Sequence, residues 1–239
     1  MLVNIDAKQL EWVTALYLSQ DEVGIREYLS GEDIHGNNQT RFNLPTRTTA
    51  KVLIFRTIYG GSGYSFATDP EFSSLGSESW WDEKIAAFYA KYQGVYTWHE
   101  GLLERVVLNN GQLTLCTGRE YQFTPYSSRG EQTYPRTKIL NYPVQGLAAD
   151  LMAIARVSLY KRLVASGLLI LFVNTVHDSI VLDMPNEVWY NNRDRIVEVV
   201  QGVFRDIPQN FEKLFGVEFN LPLKAEITYG PHLGAMTEV

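Results

Sequence analysis

The segments of this 239-residue chain that read as buried strands lie at its two ends and near residue 175. Apolar runs at residues 2–5, 168–176, 180–182 and 221–228 carry this signal. The chain between them shows helical periodicity, apart from a predicted hairpin at 112–123 and polar stretches at 31–45 and 127–138 that we expect to be irregular. This order predicts an α+β fold whose small sheet is assembled from both ends of the chain. The mostly helical middle, residues 36–140, is then an insertion.

Residues 46–59 form the strongest predicted helix, because two glycines follow where a left-handed C-cap is favoured. Side chains four residues apart are neighbours on a helix surface, and here two cations precede two aromatic residues in such a row. The members of the row are Arg47, Lys51, Phe55 and Tyr59. The cations lie toward the N-terminus, where the helix dipole also favours anions. The row predicts a site for a nucleoside triphosphate; the alternative is an amphipathic helix with both aromatics in the core.

Charge is unevenly distributed along this acidic chain, whose formal net charge is −6. Residues 34–68 contain no Asp or Glu, although they include four Lys or Arg residues. The predicted helix at 46–59 lies inside this positive segment. Such a segment suits a phosphate-bearing partner, and the alternative is a helix whose cations simply face water.

Two aspartates stand at the ends of predicted strands. Asp6 ends the first apolar run, and Asp178 lies at a tight hairpin tip between two others. Carboxylates on neighbouring strand ends can share a pair of divalent ions, and Mg²⁺ prefers such hard oxygen ligands. The alternatives are that Asp178 caps its own turn, or that the two aspartates never meet.

Several ordered segments together resemble the polymerase domain of family A DNA polymerases, the bacterial DNA polymerase I type. The segments are DAKQLE at 6–11, GEDIH at 31–35, RTTAKVLIFRTIYG at 47–60, NYPVQGLAAD at 141–150, VHDS at 176–179 and PLKAE at 222–226. The third has the spacing R-xxx-K-xxx-F-xxx-YG of the family's fingers helix. The resemblance covers nearly the whole chain, but Ser179 stands where the family usually has Glu.

The resemblance implies a two-metal site for phosphoryl transfer. Asp6 and Asp178 are implied to hold two Mg²⁺ ions. Arg47, Lys51 and His35 are implied to contact the triphosphate. Lys51 is also the candidate for proton delivery to the pyrophosphate leaving group, which makes it a third catalytic residue beside the two aspartates.

The same resemblance implies contacts to the incoming nucleotide and to DNA. Phe55 and Tyr59 would flank the incoming base and sugar. Glu11 would lie under the sugar as a steric gate against the 2′-hydroxyl, and Gln9 would belong to the same nucleotide site. The residues implied to touch the primer–template are Asn141, Gln145 and His177.

The implied fold is a right-hand polymerase palm that carries a helical fingers insertion, with the thumb absent. The implied domains are a first palm part at 1–35, fingers at 36–140 and a second palm part at 141–239. Members of the family carry a thumb and the first part of the palm before the first motif, often with a 3′–5′ exonuclease upstream. We therefore expect the chain to be one half of a split polymerase that a second polypeptide completes; an expressed fragment is the alternative.

The function implied is template-directed DNA synthesis, a nucleotidyl transfer from dNTP to a primer 3′ end. Single-subunit RNA polymerases share the Arg/Lys/Tyr helix and a His-Asp-Ser motif, but Glu11 and Phe55 argue against that family. A non-catalytic nucleotide-binding subunit of a replication complex is a further alternative. The chain has one cysteine, no long apolar segment and no targeting signal, so we expect a cytoplasmic protein of a bacterial or virus-infected cell, with no membrane partner.

Overall fold

The structure, a computed structural model, describes residues 1–128 and 130–239. It divides into two compact units, one formed by Met1–Glu11 with Gly146–Val239 and the other by Trp12–Gln145. The helices are α1 Leu10–Ser19, α2 Glu22–Leu29, α3 Ile34–Arg41, α4 Arg47–Ile58, α5 Gly63–Ala67, α6 Glu78–Lys91, α7 Gln93–Leu108, α8 Arg136–Ala165, α9 Asn186–Arg205 and α10 Ile207–Phe215. The strands are β1 Leu2–Ala7, β2 Gln112–Thr114, β3 Glu120–Gln122, β4 Tyr126–Ser128, β5 Glu131–Thr133, β6 Leu171–Val176, β7 Ser179–Asp183, β8 Ala225–Gly230 and β9 Thr237–Glu238.

The unit that contains both ends of the chain is built on an antiparallel sheet of order β6-β7-β1-β8-β9. Burial alternates along β1, so that Val3, Ile5 and Ala7 are buried while the residues between them are not. A period of two gives each strand one core face and one face for polar side chains. The prediction of an α+β fold with a sheet made from both chain ends is confirmed.

Helix α9 covers part of this sheet. The ring of Trp189 lies 5.1 Å from that of Tyr229 on β8, and Gln201 Nε2 donates to the Ala225 carbonyl at 3.2 Å. Trp189 is fully buried. Burial of such an aromatic side chain is a large apolar contribution, so this packing fixes one face of the sheet.

The other unit is mainly helical, with two small hairpins, β2-β3 and β4-β5. Thr46 caps α4, because its Oγ1 accepts from the Thr49 N–H at 3.0 Å. Gly60, with φ +77°, follows the end of that helix as the sequence predicts. Among the helices of the described residues, none has the length and apolar character that crossing a membrane requires.

Three sequence predictions about local structure are wrong. Helix α3 lies within 31–45, and the paired strands β4 and β5 overlap 127–138, although both segments were expected to be irregular. Arg129, in the second segment, lies outside the described residues. Helix α8 begins at Arg136, although Pro143 predicts a start near 144. Ile139 and Leu140 are buried, and their packing outweighs the interruption that a proline imposes.

A buried polar network joins helices of the second unit. The Tyr92 hydroxyl donates to Glu27 Oε2 at 2.8 Å and accepts from Asn38 Nδ2 at 2.8 Å. Lys91 Nζ lies 2.7 Å from Glu27 Oε1 and donates to Asn38 Oδ1 at 2.7 Å. Each polar group is thus paired inside the protein, as burial requires. The network holds α3 against its neighbours.

Tyr92→Phe should lower the free energy of unfolding by about 1–3 kcal/mol, because it leaves buried groups of Glu27 and Asn38 without a partner. Urea unfolding followed by circular dichroism measures the change. Tyr64→Phe removes an exposed hydroxyl of the same unit and should change stability little. Equal stabilities of the two variants would contradict the role given to the network.

Candidate active site

The two aspartates predicted to hold metal lie at the same end of neighbouring strands. Asp6 of β1 is paired in register with Ser179 of β7, and the Ala7 N–H donates to the Asp178 carbonyl at 2.9 Å. Paired residues of antiparallel strands have Cα atoms about 4.5–5.5 Å apart. The structure therefore brings Asp6 and Asp178 side by side, contrary to the alternative in which they never meet.

The hairpin that carries Asp178 is as tight as predicted. His177 has φ +50°, a left-handed conformation that two-residue hairpin turns use. Val176 pairs with Ser179, whose Oγ donates to the Val176 carbonyl at 3.0 Å. The hydroxyl of Ser179 thus supports the turn, in the position where the family usually carries a carboxylate.

The residues that follow Asp6 enter the first turn of α1. Gln9 has φ +56°, an uncommon conformation for a residue other than glycine, and lies just before the helix. Glu11 lies in the first helical turn and is half-buried. A short connection therefore keeps both predicted nucleotide contacts within five residues of Asp6.

Helix α4 presents the predicted nucleotide row away from its core face. Arg47 and Lys51 are exposed, whereas Phe55 and Tyr59 are half-buried. The core face is made by other side chains, namely Thr49, Ala50, Leu53, Ile54, Thr57 and Ile58. Both aromatic residues of the row are thus partly accessible, which disfavours the alternative that places them in the core.

His35 of α3 belongs to the same cluster as the row. Its ring centroid lies 6.0 Å from that of Phe55, and its side chain is buried. Burial, together with the charges of Arg47 and Lys51, lowers the pKa of His35 to about 4. Its Nδ1 has no hydrogen-bond partner among the described residues. His35 is therefore neutral at pH 7 and has a polar atom for which a ligand could serve as partner.

Sequence reasoning missed the carboxylate that binds Arg47. Asp33 Oδ1 accepts from Arg47 Nη2 at 2.9 Å and from Nε at 3.1 Å. This hydrogen bond holds the pKa of Asp33 below its usual value and raises that of Arg47. The available signal was the position of Asp33 two residues before His35 in the GEDIH segment.

Gln145, which is predicted to touch the primer–template, lies in contact with the nucleotide row. Gln145 of α8 is exposed, and its Nε2 donates to the Tyr59 hydroxyl at 2.7 Å. Asn141, one turn earlier, is half-buried. The side chain of Gln145 is thus tied to the C-terminal end of the row.

The predicted site residues are divided between the two compact units. The unit with the sheet contains the carboxylate group, and the helical unit contains the nucleotide row. The first group is Asp6, Gln9, Glu11, His177 and Asp178. The second is His35, Arg47, Lys51, Phe55, Tyr59, Asn141 and Gln145.

The model of DNA polymerase family A matches residues 1–235. The chain belongs to this family. It is 25% identical over 239 residues to DNA polymerase I of Caldicellulosiruptor bescii, covering 96% of this chain and 26% of that protein. It is 29% identical over 214 residues to the thermostable DNA polymerase I of Thermus aquaticus, covering 85% of this chain and 25% of the relative. The chain thus spans about a quarter of the length of these curated relatives.

The fold is also similar to that of a solved polymerase. A structure of the POL domain of Pol1 from M. smegmatis, in complex with DNA primer-template and dNTP, superposes with a TM-score of 0.76 at 20% identity. The similarity covers 96% of this chain and 39% of that one. The expected family A polymerase fold is therefore confirmed, while the palm and fingers boundaries stay predictions.

Family membership implies a DNA polymerase domain and the general use of divalent metal. Within 1–128 and 130–239, no group of three or more His, Cys, Asp or Glu side chains could hold a metal ion. A pair of carboxylates still fits Mg²⁺, which binds one or two carboxylates together with water and substrate phosphates. The backbone pairing sets Asp6 and Asp178 beside each other at the strand ends, so the residues present are of the type and number that such an ion requires.

Proposed function

We propose that this chain catalyses template-directed DNA synthesis, adding dNMP from dNTP to a primer 3′ end. The observation that carries the proposal is the family match over residues 1–235 together with the register that sets Asp6 beside Asp178. Asp6 and Asp178 would hold two Mg²⁺ ions. When bound, these ions supply positive charge for the phosphates and for the attacking and leaving oxygens.

The triphosphate would lie on the N-terminal half of the α4 row. Arg47 and Lys51 offer exposed cations, and His35 offers a neutral ring whose Nδ1 has no hydrogen-bond partner in the part of the chain that the structure describes. Charge spread over phosphate oxygens is stabilised by donors that are fixed before the reaction. Lys51 would deliver a proton to the leaving pyrophosphate. Its position on the row, one helical turn after Arg47, supports this role.

The base and the primer–template would lie at the other end of the row. Phe55 and Tyr59 are half-buried and can offer a flat surface to the incoming base and sugar. Gln145 donates to the Tyr59 hydroxyl, which supports a role beside the last base pair. We also assign Gln9 to nucleotide binding, and Asn141 and His177 to contacts with the primer–template.

Asp6→Asn or Asp178→Asn should reduce primer extension about a thousandfold or more, because each removes a metal-binding charge. The assay compares single-nucleotide primer extension by each variant with that of the parent chain under the same conditions. Manganese binding to each variant, followed by electron paramagnetic resonance, should weaken in parallel, while primer–template affinity stays near that of the parent.

Asp194→Asn, an exposed aspartate of α9, is the matched control and should leave both readouts unchanged. Full activity of either active-site variant would instead favour the non-catalytic nucleotide-binding subunit.

Glu11 would select deoxyribonucleotides. Its place in the first turn of α1, five residues after Asp6, supports a side chain close to the sugar of a nucleotide bound at the carboxylate end of β1. A bulky group there would exclude a 2′-hydroxyl. This selection separates the proposal from the single-subunit RNA polymerase alternative.

Glu11→Ala should raise the use of rNTP relative to dNTP by about ten- to a hundredfold in single-nucleotide extension. Glu22→Ala, an exposed glutamate in the first turn of α2, controls for the loss of one acidic side chain. Preference of the parent chain for rNTP would overturn the assignment to DNA synthesis.

We also propose that a second polypeptide completes the polymerase by adding a strand to β6. Strand β6 is the last strand on its side of the sheet, and Leu171, Val173 and Val176 on it are exposed. The neighbouring part of α8 exposes apolar residues as well, and Tyr160 of that helix contacts Phe172 of β6 with ring centroids 5.6 Å apart. An open edge beside an apolar patch favours an added strand.

This chain matches only about a quarter of the length of these relatives. The second polypeptide would supply what corresponds to the thumb, the rest of the palm and, in some members, the exonuclease. A single longer chain that contains this sequence is the alternative.

The isolated chain should self-associate and extend primers poorly. Sedimentation velocity should show less self-association for a Leu171→Lys/Val173→Lys variant, because charges on an edge strand oppose pairing. Leu108→Lys, at a residue that is 71% exposed, should not have that effect. Processive synthesis by the chain alone would refute the need for a completing polypeptide.

A further inference from the structure

We propose that Asp33 is a positioning residue for nucleotide binding, which holds the Arg47 guanidinium so that its remaining edge faces the triphosphate. This inference rests on the proposed function, in which Arg47 contacts the triphosphate. Asp33 itself would touch no substrate atom. Its effect would pass entirely through Arg47.

The contact uses one side of the guanidinium. Asp33 Oδ1 accepts from Nε at 3.1 Å and from Nη2 at 2.9 Å, and Oδ2 accepts from Nε at 3.0 Å. Arginine has five N–H donors in a planar fork. Asp33 therefore fixes the plane of the group through its Nε side, and the Nη1 side is not used in this contact. Two donors on one planar edge match the geometry of a phosphate.

The backbone around Asp33 makes room for this arrangement. A Cβ added at Gly36 would lie 2.5 Å from Asp33 Oδ2, which is too close for two unbonded atoms. Gly36 lies inside α3 and its φ is not positive, so the helix itself does not require glycine there. The missing side chain at Gly36 lets the carboxylate rest beside the helix and reach Arg47.

Asp33 could also oppose nucleotide binding, because its negative charge repels phosphate. The side chains of Asp33 and Arg47 are 54% and 57% exposed, so water and salt screen that repulsion. A long arginine side chain without a partner must instead be ordered each time a nucleotide binds. We therefore expect the ordering effect to be the larger one, so that removing Asp33 weakens binding.

The test is equilibrium binding of radiolabelled dATP to the full chain. Asp33→Ala should weaken binding about three- to tenfold, the cost of ordering one long side chain. Asp33→Asn should weaken it less, because its amide oxygen can still accept from Arg47. Gly36→Ala should shift affinity in the same direction as Asp33→Ala while circular dichroism remains unchanged.

The matched control is Glu198→Ala, which breaks another exposed pair, the 3.4 Å contact with Arg205, and should leave dATP affinity unchanged. A double-mutant cycle isolates the route of the effect. In an Arg47→Ala background, Asp33→Ala should cause no further loss.

The inference is overturned if Asp33→Ala binds dATP as tightly as the parent chain or more tightly. It is also overturned if Asp33→Ala lowers dATP affinity by the same factor in the Arg47→Ala background. In both cases the proposed nucleotide site itself is unaffected. Absence of dATP binding by the parent chain, or full affinity of Arg47→Ala alone, removes the triphosphate contact at Arg47 and this inference with it.

Discussion

The hydrogen bonding of β1 between β7 and β8 is the constraint on which the carboxylate end of the sheet depends. In this register Asp6 lies opposite Ser179 on one side and Glu226 on the other. A slip of one residue would turn Val3 and Ile5 out of the core and Asp6 into it. The cost of burying an unpaired carboxylate therefore fixes the same register that sets Asp6 beside Asp178.

In the positive segment, residues 34–68, the local pairing of charges determines which cations can face an anion. An acidic chain can present cations to an anion only if local partners do not neutralise them completely. Asp33 binds Arg47 through one side of its guanidinium, while burial and the neighbouring cations keep His35 neutral. A neutral His35 adds a polar atom without adding repulsion toward Lys51. Helix α4 thus keeps its exposed charge at the end where the dipole also favours anions.

The sequence predicted the elements whose signal is local and strong. The α4 helix has a Thr46 cap, a four-residue row and a terminal glycine, and it was predicted within one residue of Arg47 and Ile58. The hairpin at Asp178 and the sheet from both chain ends followed from apolar runs. The sequence did not predict helix α3 or the start of α8. The burial of Ile34 in α3 and of Ile139 in α8 outweighs a polar local sequence in the first case and a proline in the second. The Asp33–Arg47 pair joins residues fourteen apart, which neither helical nor strand periodicity connects.

The exposed apolar side chains of β6 are the structural basis of the proposal that another polypeptide adds a strand to this sheet. Single apolar residues on a surface are ordinary, but Leu171, Val173 and Val176 lie on one edge strand beside exposed apolar residues of α8. Edge strands in stable monomers are usually short, charged or covered. The sheet ends in β6 on one side and in β9 on the other, and β9 is only two residues long, whereas β6 has six. An apolar edge strand of this kind is the surface on which the added strand of the proposed completing polypeptide would pair.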